Sequence, residues 1–323
     1  MNIFEKLQPL IESVQRTLQE NVRESFPHTL KEPIKYFLET PGKKVRPLLT
    51  LLSCQAVGGA VEPALPAAAG VELFHDFTLI HDDIMDRDDL RRGRPTIHKI
   101  WDEGAAILAG DALVGMAYAS ILQCDREHLP EVLNHFSEGI IKVCEGQALD
   151  KEFESRQQVS TEEYLDMISK KTAWLFKLAC QIGAILGGGS PDQVEHLRRF
   201  GDNLGLGFQM QDDLLDFVAE EEKLGKKVGS DLKMDKKTYV TLKYEEHLRQ
   251  NPELASRYPA KILQFASLED LKNALFDLGI VEETRREVDA CLEEALQNLE
   301  AVQPLNENND IYQIVQFLRT RQY

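Results

Sequence analysis

Long stretches of this chain contain no proline, and that feature constrains its fold more than any other. No proline lies between Pro95 and Pro130, between Pro130 and Pro191, or between Pro191 and Pro252. Each interval is long enough for one or two long helices, and its apolar residues recur at spacings of three and four. No segment shows an alternation strong enough to predict a sheet. The pattern therefore predicts an all-α protein.

The expected helix boundaries carry recognisable start and stop signals. Ser160 with Glu163, and Ser190 with Gln193, fit the capping box that begins a helix. The run Gly187-Gly188-Gly189 is predicted to end the preceding helix. It does not resemble a phosphate-binding loop, because no Lys-Ser or Lys-Thr pair follows it.

Composition limits the class of protein and of partner. The chain is 43% hydrophobic and 28% charged, as expected for a globular protein with a sizeable core. Because no low-complexity linker interrupts it, we predict a single domain over residues 1–323. A net charge of −17 disfavours nucleic acid as a partner, since a polyanion would be repelled. An anionic substrate must then be held by local basic clusters or by metal ions.

The sequence also bears on where the protein works. The longest nearly uncharged run, Gly104 to Leu122, is interrupted by Asp111, so we expect no membrane span. The N-terminal segment carries charged residues at short intervals and no apolar stretch of signal-peptide type, so we expect a cytoplasmic location. The five cysteines are scattered, without a C-x-x-C pair, and are expected to be reduced thiols.

Two acidic motifs share one pattern, Asp82-Asp83-Ile84-Met85-Asp86 and Asp212-Asp213-Leu214-Leu215-Asp216. The first and last aspartates of each motif lie on one face of a helix, where like charges cost roughly 0.2–0.5 kcal/mol. Oxygen donors without His or Cys favour magnesium, which commonly binds one or two carboxylates plus substrate phosphates. One such motif in so acidic a chain would indicate only a solvated helix face. Two copies, each ending an apolar run, predict metal sites.

Basic clusters alternate with these motifs along the chain. The clusters are Gly42–Pro47, Arg91-Arg92-Gly93, Lys170-Lys171-Thr172, Lys226-Lys227 and Lys236-Lys237. Arginine forks and lysine ammonium groups suit phosphate oxygens. Any one cluster is more often a solvated surface patch. Their alternation with two metal-type motifs predicts that the protein binds diphosphate.

From about Gly42 to Lys236 the sequence resembles the trans-type prenyl diphosphate synthases, the family of farnesyl and geranylgeranyl diphosphate synthases. The two acidic motifs, Gly42-Lys43-Lys44-x-Arg46-Pro47 and Arg91-Arg92-Gly93-x-Pro95-Thr96 carry the resemblance, in the family's order. It implies a single large helical bundle surrounding a central cavity, of the isoprenoid synthase type, and a homodimer. It also implies head-to-tail condensation of isopentenyl diphosphate with an allylic diphosphate.

The resemblance implies a role for each matching residue. Isopentenyl diphosphate would be bound by Gly42, Lys43, Arg46, His75 and Arg92. The allylic diphosphate would be bound by Arg91, Lys171, Gln209 and Lys236, and by either Lys226 or Lys227, depending on where a one-residue gap falls. Three Mg²⁺ ions, replaceable by Mn²⁺, would be bound by Asp82, Asp86 and Asp212, supported by Asp83, Asp150, Asp213 and Asp216. The residues beside the reacting carbocation would be Lys171, Thr172 and Gln209.

Product length is predicted from the fourth and fifth positions before Asp82, which are Thr78 and Phe77. In the resembling family, an aromatic residue at the fifth position alone, with no insertion in the first motif, goes with the twenty-carbon geranylgeranyl product. We therefore predict geranylgeranyl diphosphate, with farnesyl diphosphate as the alternative. On an ideal helix Thr78 lies about 40° and Phe77 about 140° from Asp82. The opposite helix, around residues 115–119, is a second candidate for setting the depth.

Two other functions remain open from the sequence. A terpene cyclase could use similar acidic motifs on a similar fold, but it would not need a second diphosphate site, so Lys43, Arg46 and Arg92 disfavour it. A non-catalytic subunit would be expected to lose one acidic motif, and both are present here.

Overall fold

The computed structural model describes residues 2–218 and 236–320, and these are predominantly helical. In chain order the helices are α1 Ile3–Lys6, α2 Gln8–Glu20, α3 His28–Leu38, α4 Val45–Ala56, α5 Leu65–Met85, α6 Ile97–Ile100, α7 Glu103–Ile121, α8 Leu129–Ser155, α9 Thr161–Ile168, α10 Trp174–Leu186, α11 Pro191–Val218, α12 Tyr239–Gln250, α13 Pro252–Ala255, α14 Leu268–Asp277, α15 Ile280–Glu300 and α16 Asp310–Arg319. Short 3₁₀ turns occupy Glu62–Ala64 and Ile262–Gln264, a π-helical turn occupies Ser169–Ala173, and two strands are β1 Leu90–Arg91 and β2 Arg94–Pro95. The prediction of an all-α protein is confirmed.

The chain divides into two compact units. Unit 1 comprises Met1–Ile140, Leu175–Gly201 and Asn298–Ile314, and unit 2 comprises Ile141–Trp174, Asp202–Gln297 and Val315–Tyr323. The first acidic motif belongs to unit 1 and the second to unit 2. A single domain over residues 1–323 stays a prediction.

In unit 1, α5 packs against α4 and α7. A Cβ atom at Gly70 of α5 would lie only 2.7 Å from Cγ1 of Ile121 and 3.1 Å from the carbonyl oxygen of Ala117. The two helices therefore approach more closely than a side chain at this position would permit. This contact fixes the course of α5, whose C-terminal turn carries the first acidic motif.

In unit 2, the second acidic motif alternates with core residues. Leu214 and Phe217 of α11 belong to one buried cluster with Val240 and Tyr244 of α12. Side chains from α14 and the start of α15 complete that cluster. Burial of Leu214 and Phe217 fixes the rotation of α11, and with it the placement of the neighbouring Asp212, Asp213 and Asp216.

The expected helix signals are present. Ser160 Oγ accepts from the backbone N–H of Glu163 at 3.1 Å, and the Glu163 carboxylate accepts from the Ser160 N–H at 2.9 Å. Ser190 and Gln193 form the same reciprocal pair. Gly188, with φ +73°, follows the end of α10 in the left-handed conformation that favours glycine.

One feature that the sequence did not predict is a β-hairpin. Leu90 pairs with Pro95 and Arg91 with Arg94, in antiparallel register. The two loop residues, Arg92 and Gly93, have φ of +51° and +75°, which is the pattern of a type I′ turn. Strands of two residues are too short to show an alternating pattern, so no strand signal was available along the chain. The hairpin places Arg92 at its tip.

Among the residues that the structure describes, α7 is long and apolar enough to cross a membrane by length and composition. Of its apolar window, 44% is buried within the protein. Buried core helices meet the same criteria, so this property alone does not indicate a membrane span.

Candidate active site

The first acidic motif lies at the C-terminal end of α5, which ends at Met85. Asp82 and Asp86 are half-buried, whereas Asp83 is buried. The backbone N–H of Asp86 donates to the carbonyl oxygen of Asp82 at 2.8 Å and closes the last turn. Because the C-terminus of a helix is the negative end of its dipole, carboxylates there are unfavourable without a counter-charge. The position therefore favours binding of a cation.

Arg91 of the hairpin provides part of that counter-charge. Its Nε donates to Oδ1 of Asp83 at 2.6 Å, and its guanidinium lies 3.9 Å from Asp88. Burial raises the pKa of Asp83 to about 6, and Arg91 partly opposes that effect. Arg91 is predicted to contact the allylic diphosphate, and Asp83 is predicted to support the metal ligands. These two site residues thus hold each other in place.

Arg46 and His75 form the centre of the predicted isopentenyl diphosphate cluster. Nη1 of Arg46 lies 3.1 Å from Nε2 of His75, and the guanidinium carbon lies 4.4 Å from the centre of the Phe176 ring. Burial, and then the nearby charge of Arg46, holds the pKa of His75 well below its usual range. The imidazole is therefore neutral, and its Nε2 accepts the hydrogen bond from Arg46. His75 orients Arg46 rather than adding a second positive charge.

Gly42 makes room for Arg92. A Cβ atom at Gly42 would lie 2.6 Å from Nη1 of Arg92, which donates to the carbonyl oxygen of Pro41 at 3.0 Å. Lys43 is exposed, with its Nζ 5.9 Å from the ring centre of Phe4. The structure therefore brings together Arg46 with His75, and Gly42 with Arg92. Lys43 adjoins them in the chain.

The two predicted chain-length residues have different surroundings. The Thr78 hydroxyl donates to the carbonyl oxygen of His75 at 2.7 Å, so its hydrogen bond is made within α5 itself. The Phe77 ring stacks on Phe74 at 5.7 Å and meets His81 edge-on at 4.7 Å between ring centres. Phe77 is thus held within an aromatic cluster, whereas Thr78 occupies little volume one turn before Asp82.

The aromatic cluster extends to α7 and α8. Phe74 contacts Phe136 edge-on at 5.7 Å, and Phe136 contacts Tyr118 at 5.2 Å. The Tyr118 hydroxyl lies 3.0 Å from Oγ of Ser137. The helix that the sequence offered as a second candidate for setting the depth is therefore connected to Phe77 through a series of ring contacts.

In unit 2, Lys171 and Thr172 lie in the π-helical turn Ser169–Ala173. A Cβ atom at Gly146 of α8 would lie 2.3 Å from the backbone nitrogen of Lys171, and one at Gly205 of α11 would lie 2.4 Å from Cα of Ala173. Glycines on two helices thus permit the widened turn to approach both backbones. Single π-turns are frequent at functional sites, and the sequence did not predict this one.

Lys171 is paired with Asp150, another predicted site residue. Its Nζ donates to Oδ2 of Asp150 at 2.5 Å, and the two side chains are 22% and 10% exposed. The partial burial of both groups strengthens their electrostatic interaction. Asp150 therefore holds the Lys171 ammonium group in a defined position.

A chain of hydrogen bonds leads from the π-turn to the second acidic motif. Thr172 Oγ1 donates to Oε1 of Gln209 at 2.9 Å, and Gln209 Nε2 donates to Oδ1 of Asp213 at 2.9 Å. Oδ2 of Asp213 accepts from the Tyr239 backbone N–H at 2.9 Å and from the Tyr164 hydroxyl. Both oxygens of Asp213 are thus engaged by the protein, which suits a supporting role.

Sequence reasoning missed the two tyrosines of this network. The available signal for Tyr164 was its spacing. It lies seven residues before Lys171, and residues seven apart lie on nearly the same face of a helix. Tyr239 contributes its backbone N–H, which no side-chain pattern reveals.

The remaining predicted residues lie on either side of this network. Asp212 is half-buried and Asp216 is buried, both in the last two turns of α11. Lys236 is half-buried and precedes Thr238, whose side chain caps α12. Lys226 and Lys227 lie outside the described residues.

The donor set fits a hard divalent cation. Within residues 2–218 and 236–320, no three His, Cys, Asp or Glu side chains form a ready-made metal cage. Magnesium does not require one, because it is usually bound by one or two carboxylates plus substrate phosphates and water. The oxygen-only donors Asp82 and Asp86, at the negative end of α5, meet that description.

Known proteins resemble this chain along most of its length. The polyprenyl synthetase family model matches residues 27–276. A geranylgeranyl diphosphate synthase of Methanosarcina mazei is 36% identical over 332 residues, covering 100% of this chain and 99% of the relative. A geranylfarnesyl diphosphate synthase of Natronomonas pharaonis is 37% identical over 332 residues, covering 97% of this chain and 96% of the relative.

The fold has solved counterparts. The crystal structure of geranylgeranyl pyrophosphate synthetase from Pyrococcus horikoshii matches with a TM-score of 0.89 and 32% identity, covering 99% of this chain and 98% of that one. The chain belongs to the polyprenyl synthetase family. It is a prenyltransferase with the all-α isoprenoid synthase fold, from a family that binds diphosphate substrates through a divalent metal.

Proposed function

We propose that this prenyltransferase condenses isopentenyl diphosphate with an allylic diphosphate, depends on magnesium, and forms mainly geranylgeranyl diphosphate. The observation that carries this proposal is the presence of two separate basic clusters, Lys43, Arg46 and Arg92 in unit 1 and Lys171 and Lys236 in unit 2. A terpene cyclase handles one diphosphate and would have no use for the Arg46–His75 pair and Arg92. Two diphosphate sites indicate two substrates.

The unit 1 cluster binds the nucleophilic substrate. Arg46 is oriented by the neutral His75, and Arg92 is accommodated by Gly42. Together with Lys43 they hold the diphosphate of isopentenyl diphosphate in a fixed orientation. Orientation of one reactant relative to the other removes much of the entropic barrier of a two-substrate reaction.

The unit 2 cluster stabilises the leaving group. Ionisation of the allylic carbon–oxygen bond builds negative charge on the departing diphosphate. That charge is stabilised by cations such as Lys171, which Asp150 holds in place, and Lys236. Thr172 and Gln209 are held by hydrogen bonds and present oriented dipoles toward the carbocation. The double bond of isopentenyl diphosphate then attacks the carbocation. Loss of a proton, with the released diphosphate as acceptor, completes the new double bond.

We propose magnesium as the metal, with three ions bound by Asp82, Asp86 and Asp212 and with manganese able to substitute. When bound, the ions supply positive charge to the allylic diphosphate. Asp83 and Asp213 are already engaged by Arg91 and by Gln209 with Tyr239, so they orient the motifs instead. Asp150 and Asp216 act in support.

We propose geranylgeranyl diphosphate as the main product because Thr78 leaves space one turn before Asp82, whereas Phe77 is held in the aromatic cluster. Relatives from Methanosarcina and Pyrococcus carry the same product in their names. The relative from Natronomonas is named for a twenty-five-carbon product, so a longer chain is the competitor alongside farnesyl diphosphate.

The test is direct. Purified protein is incubated with magnesium, labelled isopentenyl diphosphate and dimethylallyl diphosphate, and in a parallel reaction with magnesium and farnesyl diphosphate alone. The dephosphorylated products are separated by chromatography. A predominant twenty-carbon alcohol is expected. A main fifteen- or twenty-five-carbon product would contradict the assigned length. A cyclic hydrocarbon formed from the allylic diphosphate alone would contradict the whole assignment.

We further propose a homodimer. Along the exposed face of α7, Leu108 is 61% exposed, and Leu122, just after the helix, is 56% exposed. Asp111 and Gly115 lie between them on the same face, which leaves little bulk to obstruct a second helix. Sedimentation should show a dimer that Leu108→Lys/Leu122→Lys dissociates, while Leu263→Lys, an exposed leucine elsewhere, leaves it intact. A wild-type monomer would contradict this.

We propose a cytoplasmic location as well. All five cysteines are unpaired thiols, as expected in a reducing compartment. Fractionation of the source cells with an antibody should recover the protein with cytosolic markers. Recovery with the membrane fraction would contradict the proposal.

A further inference from the structure

Lys44 is a buried lysine between two residues of the isopentenyl diphosphate cluster, Lys43 and Arg46. It is 6% exposed and adopts φ 49° and ψ 43°, the left-handed conformation that residues with a Cβ atom rarely adopt. Its carbonyl oxygen accepts from the N–H of Leu48 at 3.1 Å, so this residue is the N-cap of α4. A strained backbone of this kind persists only where surrounding contacts determine it.

The contact that determines it is an ion pair with α5. Nζ of Lys44 lies 2.9 Å from Oε1 of Glu72, and both side chains are 4% exposed. Glu72 precedes His75 by three residues and therefore shares its face of α5. The ion pair thus joins the start of α4, where Arg46 lies, to the turn of α5 that carries its partner His75.

A second carboxylate completes the cluster. Asp76 follows Glu72 by one helical turn, is 2% exposed, and has a buried Oδ2 without a hydrogen-bond partner. Burial raises the pKa of Asp76 to about 7, with Lys44 opposing this effect and Glu72 adding to it. Lys44 therefore faces two acidic groups. Its charge is used inside the protein and is not available to a diphosphate.

We propose that Lys44 and Glu72 are positioning residues for the isopentenyl diphosphate subsite. Their ion pair holds the left-handed turn, and that turn sets the directions in which Lys43 and Arg46 leave the start of α4. The two neighbouring lysines thus have different roles: Lys43 contacts substrate, and Lys44 holds the backbone. This inference rests on the proposed function of the unit 1 cluster.

The test replaces both charges at once. Removing one partner would leave a buried unpaired charge and destabilise the fold, whereas Lys44→Met/Glu72→Gln leaves no charge from the pair. We expect the KM for isopentenyl diphosphate to rise by about tenfold or more, while kcat and the KM for the allylic substrate stay within about threefold. Lys44→Arg, which keeps the charge, should stay close to wild type.

The matched control is the Lys243–Glu283 ion pair in unit 2, with an N–O distance of 3.0 Å and no predicted site role. Lys243→Met/Glu283→Gln should leave both KM values unchanged. A Lys44→Met/Glu72→Gln protein with a wild-type KM for isopentenyl diphosphate, or with both KM values raised equally, overturns the positioning role. If that protein does not fold, Glu72→Asp is the deciding variant. The shorter acid should selectively raise the KM for isopentenyl diphosphate, and an unchanged KM would overturn the inference. Lack of turnover by the wild-type enzyme would instead overturn the proposed function.

Discussion

Nε of Arg91 lies 2.6 Å from Oδ1 of Asp83, and this ion pair joins the β-hairpin to the first acidic motif. The next residue, Arg92, reaches the carbonyl oxygen of Pro41 instead. Two adjacent arginines therefore contact different parts of unit 1, because the type I′ turn begins between them. The predicted separation of substrate contacts follows from this divergence.

Metal dependence is the first prediction. Asp82→Ala and Asp212→Ala should each lower kcat by at least about two to three orders of magnitude, because each removes a group that stabilises charge on the leaving diphosphate. Helical circular dichroism should be retained, and chelator should abolish wild-type turnover. Asp277→Ala is a control variant, because Asp277 also lies at the C-terminal end of a helix, α14, as Asp82 lies near the end of α5. Asp277 is exposed and has no predicted site role. Near-normal turnover of either site variant would contradict the metal assignment.

Separation of the two diphosphate contacts is the second prediction. Arg92→Ala should mainly raise the KM for isopentenyl diphosphate, because Arg92 lies with Gly42 in unit 1. Lys171→Ala should mainly raise the KM for the allylic diphosphate, because Lys171 is held by Asp150 in unit 2. Steady-state kinetics with each substrate varied in turn measures both. Equal effects of both variants on both substrates would show that the partition is wrong.

The third prediction concerns product length. Thr78→Phe should shorten the main product, because the ring would fill space one turn before Asp82. Phe77→Ala should have a smaller effect, since Phe77 packs against Phe74 and His81. Chromatography of the dephosphorylated products measures both changes. An unchanged product from Thr78→Phe would mean that this position does not limit the chain.

Stability should depend on pH through Asp76, whose folded-state pKa of about 7 lies above its ordinary value of 3.8. Ionisation of Asp76 therefore opposes folding, and the cost grows from about pH 4 to pH 7 and is constant above that, at about 1.4 kcal/mol per pKa unit. Asp76→Asn cannot ionise. Its free energy of unfolding minus that of wild type should therefore rise across this range, by a few kcal/mol.

Denaturant titrations of the metal-free protein at several pH values measure this difference. The slope with pH is the decisive quantity, because a poorly accommodated amide in the Asp76→Asn variant would shift every value equally. Asp277→Asn, measured in parallel, accounts for the general loss of one negative charge. A difference that stays flat between pH 4 and pH 7 would contradict the assignment.

The fifth prediction tests the π-turn. Gly205→Ala would place a Cβ atom 2.4 Å from Cα of Ala173, so the turn must shift. We expect a loss of stability of about 1–3 kcal/mol, as for overpacked cores, and a rise in the KM for the allylic diphosphate. Gly207→Ala on the same helix is the control, because the atoms nearest to its added Cβ are side-chain atoms of Leu292 and Cys291, 3.2–3.4 Å away. It should change stability by no more than about 1 kcal/mol. Equal effects of the two variants would contradict the role of Gly205.

The sequence by itself determined the helices and the chemistry of the site. Proline-free intervals and capping boxes such as Ser160 with Glu163 act over a few residues, so they could be read along the chain. The same holds for carboxylates spaced one turn apart, whose repulsion and affinity for hard cations depend on residue type and local spacing. The basic clusters that alternate with the acidic motifs could be recognised for the same reason.

Only the tertiary structure decided which of these residues are held in place by distant parts of the chain. Residues 43 and 44 are both lysine, and Lys43 is exposed. Lys44, in contrast, is buried and paired with Glu72 of α5. Asp213 is engaged by Tyr164 and Tyr239, which lie far from it in the chain. Such contacts depend on how the helices pack, and no local pattern encodes them. Packing therefore gave different surroundings to residues that the sequence presents as equivalent.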